Sequence, residues 1–265
     1  MQFRYLTDSD YEQAFYEFGN FRAKIAEKIH ELSSSNENII LDFLAGHGLL
    51  SAEIAMLFPY ARIYALGLSN DAESWKRLRG SEKFPERTWR RFHYLTADAR
   101  HIPLKSSTCE IVVNFLGLED LRMTSGIEGI HCAISEIRRI TKDNALVQVS
   151  IVEYGEEPEE KIAEEVWKTI GLNAIFLEEN EYLRLFEKEG MHKIEELELK
   201  WGRKMTPRQA REELEFACKE APRIFSGFGV EAVSVDDLWN KFGHRIEEHG
   251  MAYWSRVKAN ILRKQ

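Results

Sequence analysis

Between Tyr11 and Leu32 the hydrophobic residues Phe15, Phe18, Phe21, Ile25, Ala26 and Ile29 recur at helical spacing, which predicts an amphipathic helix ended by the polar run Ser33-Ser34-Ser35-Asn36. The next apolar segment has no period. Ile39-Ile40-Leu41-Asp42-Phe43-Leu44 is a short, nearly unbroken run, the pattern of a strand covered on both faces. Ala45-Gly46-His47-Gly48 then reads as a tight turn, and Leu49 to Phe58 as a helix closed by Pro59. Further strands are predicted over Arg62–Leu66, Phe92–Thr96, Glu110–Phe115 and Ala145–Val152, with helices over Asp71–Leu78 and Ile127–Ile140. Strands alternating with helices predict a doubly wound α/β fold on a mostly parallel sheet.

Beyond Glu153 the pattern changes. Helices are predicted over Pro158–Ile170 and Glu178–Glu189, the latter stopped by Gly190, followed by an alternating strand over His192–Leu199. Pro207–Glu220 reads as a helix capped by Thr206, and Val233–His249 holds another that begins near Ser234. Alternation from Met251 to Leu262 predicts one final strand, expected to join the sheet antiparallel. The expected division is an N-terminal helical cap over 1–36, a core over 37–200, and a helical insertion with the last strand over 201–265.

A chain of 265 residues with 44% hydrophobic and 30% charged residues has room for one large buried core. No apolar run reaches the length of a membrane span and Met1–Asp10 lacks a secretion signal, so a cytoplasmic protein is expected. Cys109, Cys132 and Cys218 are far apart and form no CxxC pair, which argues against a disulfide framework or a metal site and for a reducing compartment. The net charge of −8 is concentrated between Glu153 and Glu198, where 15 Glu face 5 Lys/Arg. Between Trp75 and Arg91 the balance reverses, with seven basic residues against Glu82 and Glu86. Such a cluster can grip phosphates, but a solvated helix and loop is the simpler reading, because the chain as a whole repels nucleic acid. Oligomeric state is not legible.

Three segments carry candidate chemistry. In the first, a buried strand enters the Ala45-Gly46-His47-Gly48 turn and a helix follows. Glycines let a ligand approach the backbone, and the helix start offers free N–H groups. The same pattern also serves any strand–turn–helix connection, and it is not the GxGxxG of dinucleotide enzymes. The second is Asp98-Ala99 after the third strand. An Asp at that edge suits a purine amino group, although Asp is also common in surface turns. The third is Asn114-Phe115-Leu116 at the end of the fourth strand, where Asn also fits a helix cap. His47, His101 and His131 read as structural.

In this order and spacing the segments resemble those of the class I, Rossmann-like S-adenosylmethionine-dependent methyltransferases, in the branch that acts on small molecules, over about residues 36–153. The resemblance implies that Asp42, Leu44, Ala45, Gly46 and Gly48 stand in the glycine-rich motif that holds the methionine end of the cofactor. It implies that Gly67 and Leu68 lie against ribose and adenine, that Asp98 and Ala99 contact adenine, and that Asn114, Phe115 and Leu116 lie beside the transferable methyl. The helix from Ser125 and the strand Leu146–Val152 match the family's fifth strand and the helix before it. Tyr11 and Tyr16 stand where N-terminal aromatics of relatives close over the cofactor; core packing is their simpler role. Two departures stand out: Leu44 replaces a family glycine, and Gly67 replaces the acid that holds both ribose hydroxyls, with Ser69, Asn70 or Asp71 as substitutes from the following loop.

The resemblance implies transfer of a methyl group to a small-molecule acceptor by in-line displacement, with S-adenosylhomocysteine as product. That step needs alignment and exclusion of water more than a catalytic dyad. The alternatives are a non-catalytic methyltransferase-like binding or partner protein, an RNA or protein methyltransferase, and a nicotinamide-dependent oxidoreductase. The missing third glycine and the missing acid argue against the last of these.

Overall fold

The computed structural model describes residues 8–69, 71–79, 86–171, 177–200, 204–224, 228, 230, 232–252 and 256–265. In chain order the helices are α1 (Asp8–Leu32), α2 (Leu49–Leu57), α3 (Asp71–Arg79), α4 (Glu86–Trp89), α5 (Leu118–Ile140), α6 (Pro158–Ile170), α7 (Glu179–Lys188), α8 (Pro207–Ile224) and α9 (Val235–His249). The strands are β1 (Ile39–Asp42), β2 (Arg62–Gly67), β3 (Phe92–Thr96), β4 (Cys109–Phe115), β5 (Thr141–Glu153), β6 (Met191–Lys200), β7 (Lys204–Met205), β8 (Met251–Ala252) and β9 (Arg256–Lys264).

Seven strands form one sheet in the order β3-β2-β1-β4-β5-β9-β6. Strands β1 to β5 run parallel to one another, and β9 inserts antiparallel between β5 and β6. The apolar run of β1 is explained by its place at the centre. Ile40 packs with Ile25, Ile29 and Ile54 on the face covered by α1 and α2, and Leu41 packs with Ile134, Ile137 and Phe186 on the face covered by α5 and α7. A third apolar cluster joins α6, α8, α9, β7 and β8, with Met123 and Tyr154 packed against it.

Several elements differ from expectation. The predicted final strand is two: Met251 and Ala252 pair with Met205 and Lys204 in a separate ribbon, and β9 starts at Arg256. The alternation that suggested one strand serves two cores, because Met251 lies in the third cluster while Val257, Ala259 and Ile261 lie in the first. Helix α5 starts nine residues before Ile127. It is broken at Gly126, whose φ of 65° and ψ of −168° separate two helical stretches with different faces, so one period spans only the second. Helix α4 and strand β7 are too short to show a period, and β5 begins four residues early, around a left-handed Asn144.

The helical third cluster is tied to the sheet by a half-buried cation. Arg256 donates to both carboxylate oxygens of Glu160 at 3.0 Å and to Glu198 at 2.6 Å, and Glu160 is only 6% exposed. Removing one partner of such a pair strands the other charge away from water. Arg256→Ala is therefore expected to cost about 3 kcal/mol of stability, measured as a fall in the urea midpoint against a Lys161→Ala control on the exposed face of α6.

Candidate functional site

The strand order reverses direction between β1 and β4, so the crevice of this sheet opens at their carboxyl ends. Both strands leave the sheet through a left-handed residue that is not glycine: Leu44 at φ 57° and Leu116 at φ 56°. Two buried polar side chains hold this geometry. Asn114 donates through Nδ2 to the carbonyl of Phe43 at 2.6 Å and accepts from the Gly117 N–H at 3.3 Å, which stitches the end of β1 to the start of α5. Asp42 accepts from the Ser51 N–H at 3.0 Å and from its hydroxyl at 2.7 Å. Both side chains thus face inward and position the turn. Burial pushes the Asp42 carboxyl up to about 7, against the pull of Ser51 and of Arg22.

The glycines of the turn do different work. Among the described residues a Cβ on Gly46 would meet nothing within 4 Å, so on that side this residue faces the crevice. A Cβ on Gly48 would press on Phe92 at 3.1 Å and Trp75 at 3.2 Å. Gly48 therefore lets the aromatic wall of Trp75, Phe92 and Tyr94 close against the start of α2. Ala45 ties the turn to β2, its N–H donating to the Leu66 carbonyl at 2.7 Å.

Along the neighbouring edge, Gly67 ends β2 and the apolar Leu68 follows it, 61% exposed. A Cβ on Gly67 would overlap the hydroxyl of Tyr94 and lie 3.5 Å from Oδ2 of Asp71. Asp98 is engaged by Arg100, whose Nε and Nη2 donate to its oxygens at 2.5–3.0 Å and hold its carboxyl down to about 2. Ala99 points into the core beside Leu66 and Ile102. Phe115 is half-buried beneath the Arg22 guanidinium, 5.8 Å from the ring centre. Tyr11 and Tyr16 lie on α1, and their side chains fall outside the described residues, as does Asn70. His101 and His131 are exposed and His47 is half-buried.

Residues 41–149 match a family model described as a methyltransferase domain. Over these residues the chain carries a methyltransferase domain. Solved structures share its fold over most of the chain. A geranyl diphosphate methyltransferase in complex with S-adenosylmethionine is 11% identical, with a TM-score of 0.54 and coverage of 92% of this chain and 85% of that one. Phosphoethanolamine N-methyltransferase 2 of Haemonchus contortus, in complex with the same cofactor, is 15% identical with a TM-score of 0.54, covering 97% and 57%. A [4+2]-cyclase is 16% identical with a TM-score of 0.52, covering 91% and 80%. At these identities the likeness shows the fold alone. No curated protein sequence matches the chain.

The fold also holds buried polar groups that the sequence pattern did not single out. Arg22 of α1 is buried over the crevice, and burial lowers its guanidinium to about 10. Its signal was present: position 22 falls on the Phe18–Ile25–Ile29 stripe of α1, where a charge is out of place. Glu119, in the first turn of α5, is 7% exposed, and its Oε2 has no hydrogen-bond partner among the described residues. The same holds for the hydroxyl of Tyr182 on α7, next to which Glu119 places its charge. Burial, with the charge of Asp120 adding, pushes the Glu119 carboxyl up to about 7.

Two predictions follow from this geometry. A Cβ on Gly117 would lie 2.7 Å from Leu44 Cβ and 2.8 Å from Asn114 Nδ2. Gly117→Ala is expected to lower the melting temperature, and combining it with Leu44→Gly is expected to recover part of the loss, a coupling readable as a double-mutant cycle. Glu119 holds its proton in the folded state to higher pH than in the unfolded chain, so its contribution is fully present below the unfolded value and fades as pH rises through about 7. Stability should fall between pH 6 and pH 8 by about 1 kcal/mol for this group, and Glu119→Gln should flatten that slope in urea titrations.

Proposed function

We propose that the protein transfers a methyl group from S-adenosylmethionine to a small-molecule acceptor by in-line displacement. The observation that carries this reading is Gly46: among the described residues nothing obstructs its side at the β1–β4 crevice, next to the start of α2. The residues present fit the cofactor. Gly46 and Ala45 leave its methionine end room against the backbone. Leu68 is an apolar ledge for a purine ring, with Asp98 beside it to accept from the ring's amino group once Arg100 gives way. Carboxylate and hydroxyl groups lie at the strand end between these two regions.

When bound, the cofactor supplies an electrophilic methyl on a positively charged sulfur. The chain's own task is alignment and exclusion of water. Phe115 and Leu116 form the apolar floor beside the reacting centre, while Arg22 and α1 form part of the roof. Glu119, buried in the first turn of α5 two residues after Gly117, is the candidate for taking a proton from an acceptor. The chain's neighbours in fold include enzymes named for geranyl diphosphate and phosphoethanolamine, which agrees with a small-molecule acceptor. Three free cysteines, and no helix among the described residues long and apolar enough to cross a membrane, support a cytoplasmic setting.

One observation favours a second reading, a methyltransferase-like binding protein without transferase activity: the Tyr94 hydroxyl stands where the family places its ribose-binding acid. Titration calorimetry with S-adenosylmethionine and S-adenosylhomocysteine, with NADH as control, separates the two. Micromolar binding is expected. Gly46→Val should weaken it at least tenfold while costing only about 1 kcal/mol of stability, the strain of a side chain at φ 49°. Asp98→Ala should weaken it as well. No binding of either ligand at millimolar concentration would overturn the transferase reading.

A further inference from the structure

Gly67 and Tyr94 are a matched pair. In the parallel register of β2 and β3, Tyr94 stands opposite Ala65, two residues before the strand end. Its long side chain leans toward the carboxyl edge, and its hydroxyl comes to rest over Gly67, leaving no space for a Cβ there. The hydroxyl donates to the carbonyl of Gly46 at 3.1 Å, with the Leu68 carbonyl at 3.4 Å as a weaker second acceptor. The ring is held from behind by Trp75, at 5.6 Å between ring centres. One phenol therefore joins the glycine turn after β1 to the loop after β2, across the gap between the methionine and adenine ends of the crevice. Burial and the nearby charges of Asp71 and Asp42 keep it protonated, so its oxygen still has a lone pair to offer.

The carboxylate that Gly67 lacks is supplied from the next element. Asp71, at the start of α3, places Oδ2 3.5 Å from where a Gly67 Cβ would stand, and among the described residues its hydrogen bond is to the Leu68 N–H at 3.3 Å. A carboxylate with one such bond keeps further acceptor sites for a pair of adjacent hydroxyls.

We propose that Asp71 and Tyr94 together recognise the vicinal ribose hydroxyls of the adenosyl cofactor, a task moved from the end of β2 to the start of α3 and the side chain of β3. The proposal rests on the cofactor reading above, and the test keeps the two apart. Binding of S-adenosylhomocysteine to the full chain is measured by calorimetry for the native protein, Asp71→Asn and Tyr94→Phe, with adenosine and 2′,3′-dideoxyadenosine as competitors and the melting temperature as a check on folding. Tyr94→Phe keeps the ring and its stacking, so it stays informative if Asp71→Asn loosens α3.

The native protein is expected to bind S-adenosylhomocysteine and to prefer adenosine over the dideoxy compound. Each variant should lose about tenfold or more in affinity, and the preference for adenosine should collapse. Variants that bind within twofold of native and still discriminate the dideoxy compound would overturn the assignment while leaving the cofactor reading intact. A native protein that binds no S-adenosylhomocysteine would overturn the cofactor reading, and this assignment with it.

Discussion

Everything at the carboxyl edge depends on how two adjacent central strands end. Strands β1 and β4 must both turn out of the sheet at the same level, or no crevice opens between them. They do so through Leu44 and Leu116 in left-handed backbone, a conformation that costs a side-chain-bearing residue roughly 1–2 kcal/mol. The strain is held by neighbours that cannot easily give way. The Phe43 N–H donates to the Val113 carbonyl at 2.7 Å, and the Phe43 carbonyl accepts from Asn114 at 2.6 Å. Gly117 is bare so that Leu44 can pack against it. Leu44 thus takes the left-handed turn with its side chain packed against the apolar cluster between the sheet and α5.

The same edge gathers ionisable groups away from water. Asp42, Glu119 and Arg22 are all buried, and each is shifted toward its neutral form by that burial. Asp42 offsets its desolvation through two bonds from Ser51. Among the described residues Glu119 has no such compensation for Oε2, and buried polar groups are normally satisfied.

The parts of this arrangement that were legible in the sequence are those set by local patterns. The β1 run, the glycine turn and the alternation of strands and helices follow from burial on both faces and from backbone freedom at glycine. Asp42 and Asn114 were found by position, but their actual partners, Ser51 and the Phe43 carbonyl, depend on the direction in which each side chain points. Tyr94 was not singled out, because nothing in Phe92-His93-Tyr94-Leu95-Thr96 shows that one aromatic of an edge strand reaches over a residue 27 positions earlier. Helix α5 was half legible, since the left-handed Gly126 resets its face. The final strand was misread as one, because alternation reports that a face is buried and not which core buries it.

A fold shared with a [4+2]-cyclase as well as with methyltransferases shows that the sheet edge alone does not select a reaction. The side chains that fill the edge make that choice, and they have to be read together. Gly67 taken singly is a lost acid, and it argues for a chain that has abandoned its ligand. Taken with Tyr94 it is a steric necessity, because the phenol leaves no room for a side chain there, and with Asp71 it leaves the local inventory of hydrogen-bonding groups no poorer. A hydroxyl that bridges two loops also stiffens the crevice before any ligand arrives, which reduces the ordering cost of binding. Such exchanges between neighbouring elements leave a motif incomplete along the chain while keeping its chemistry complete in space.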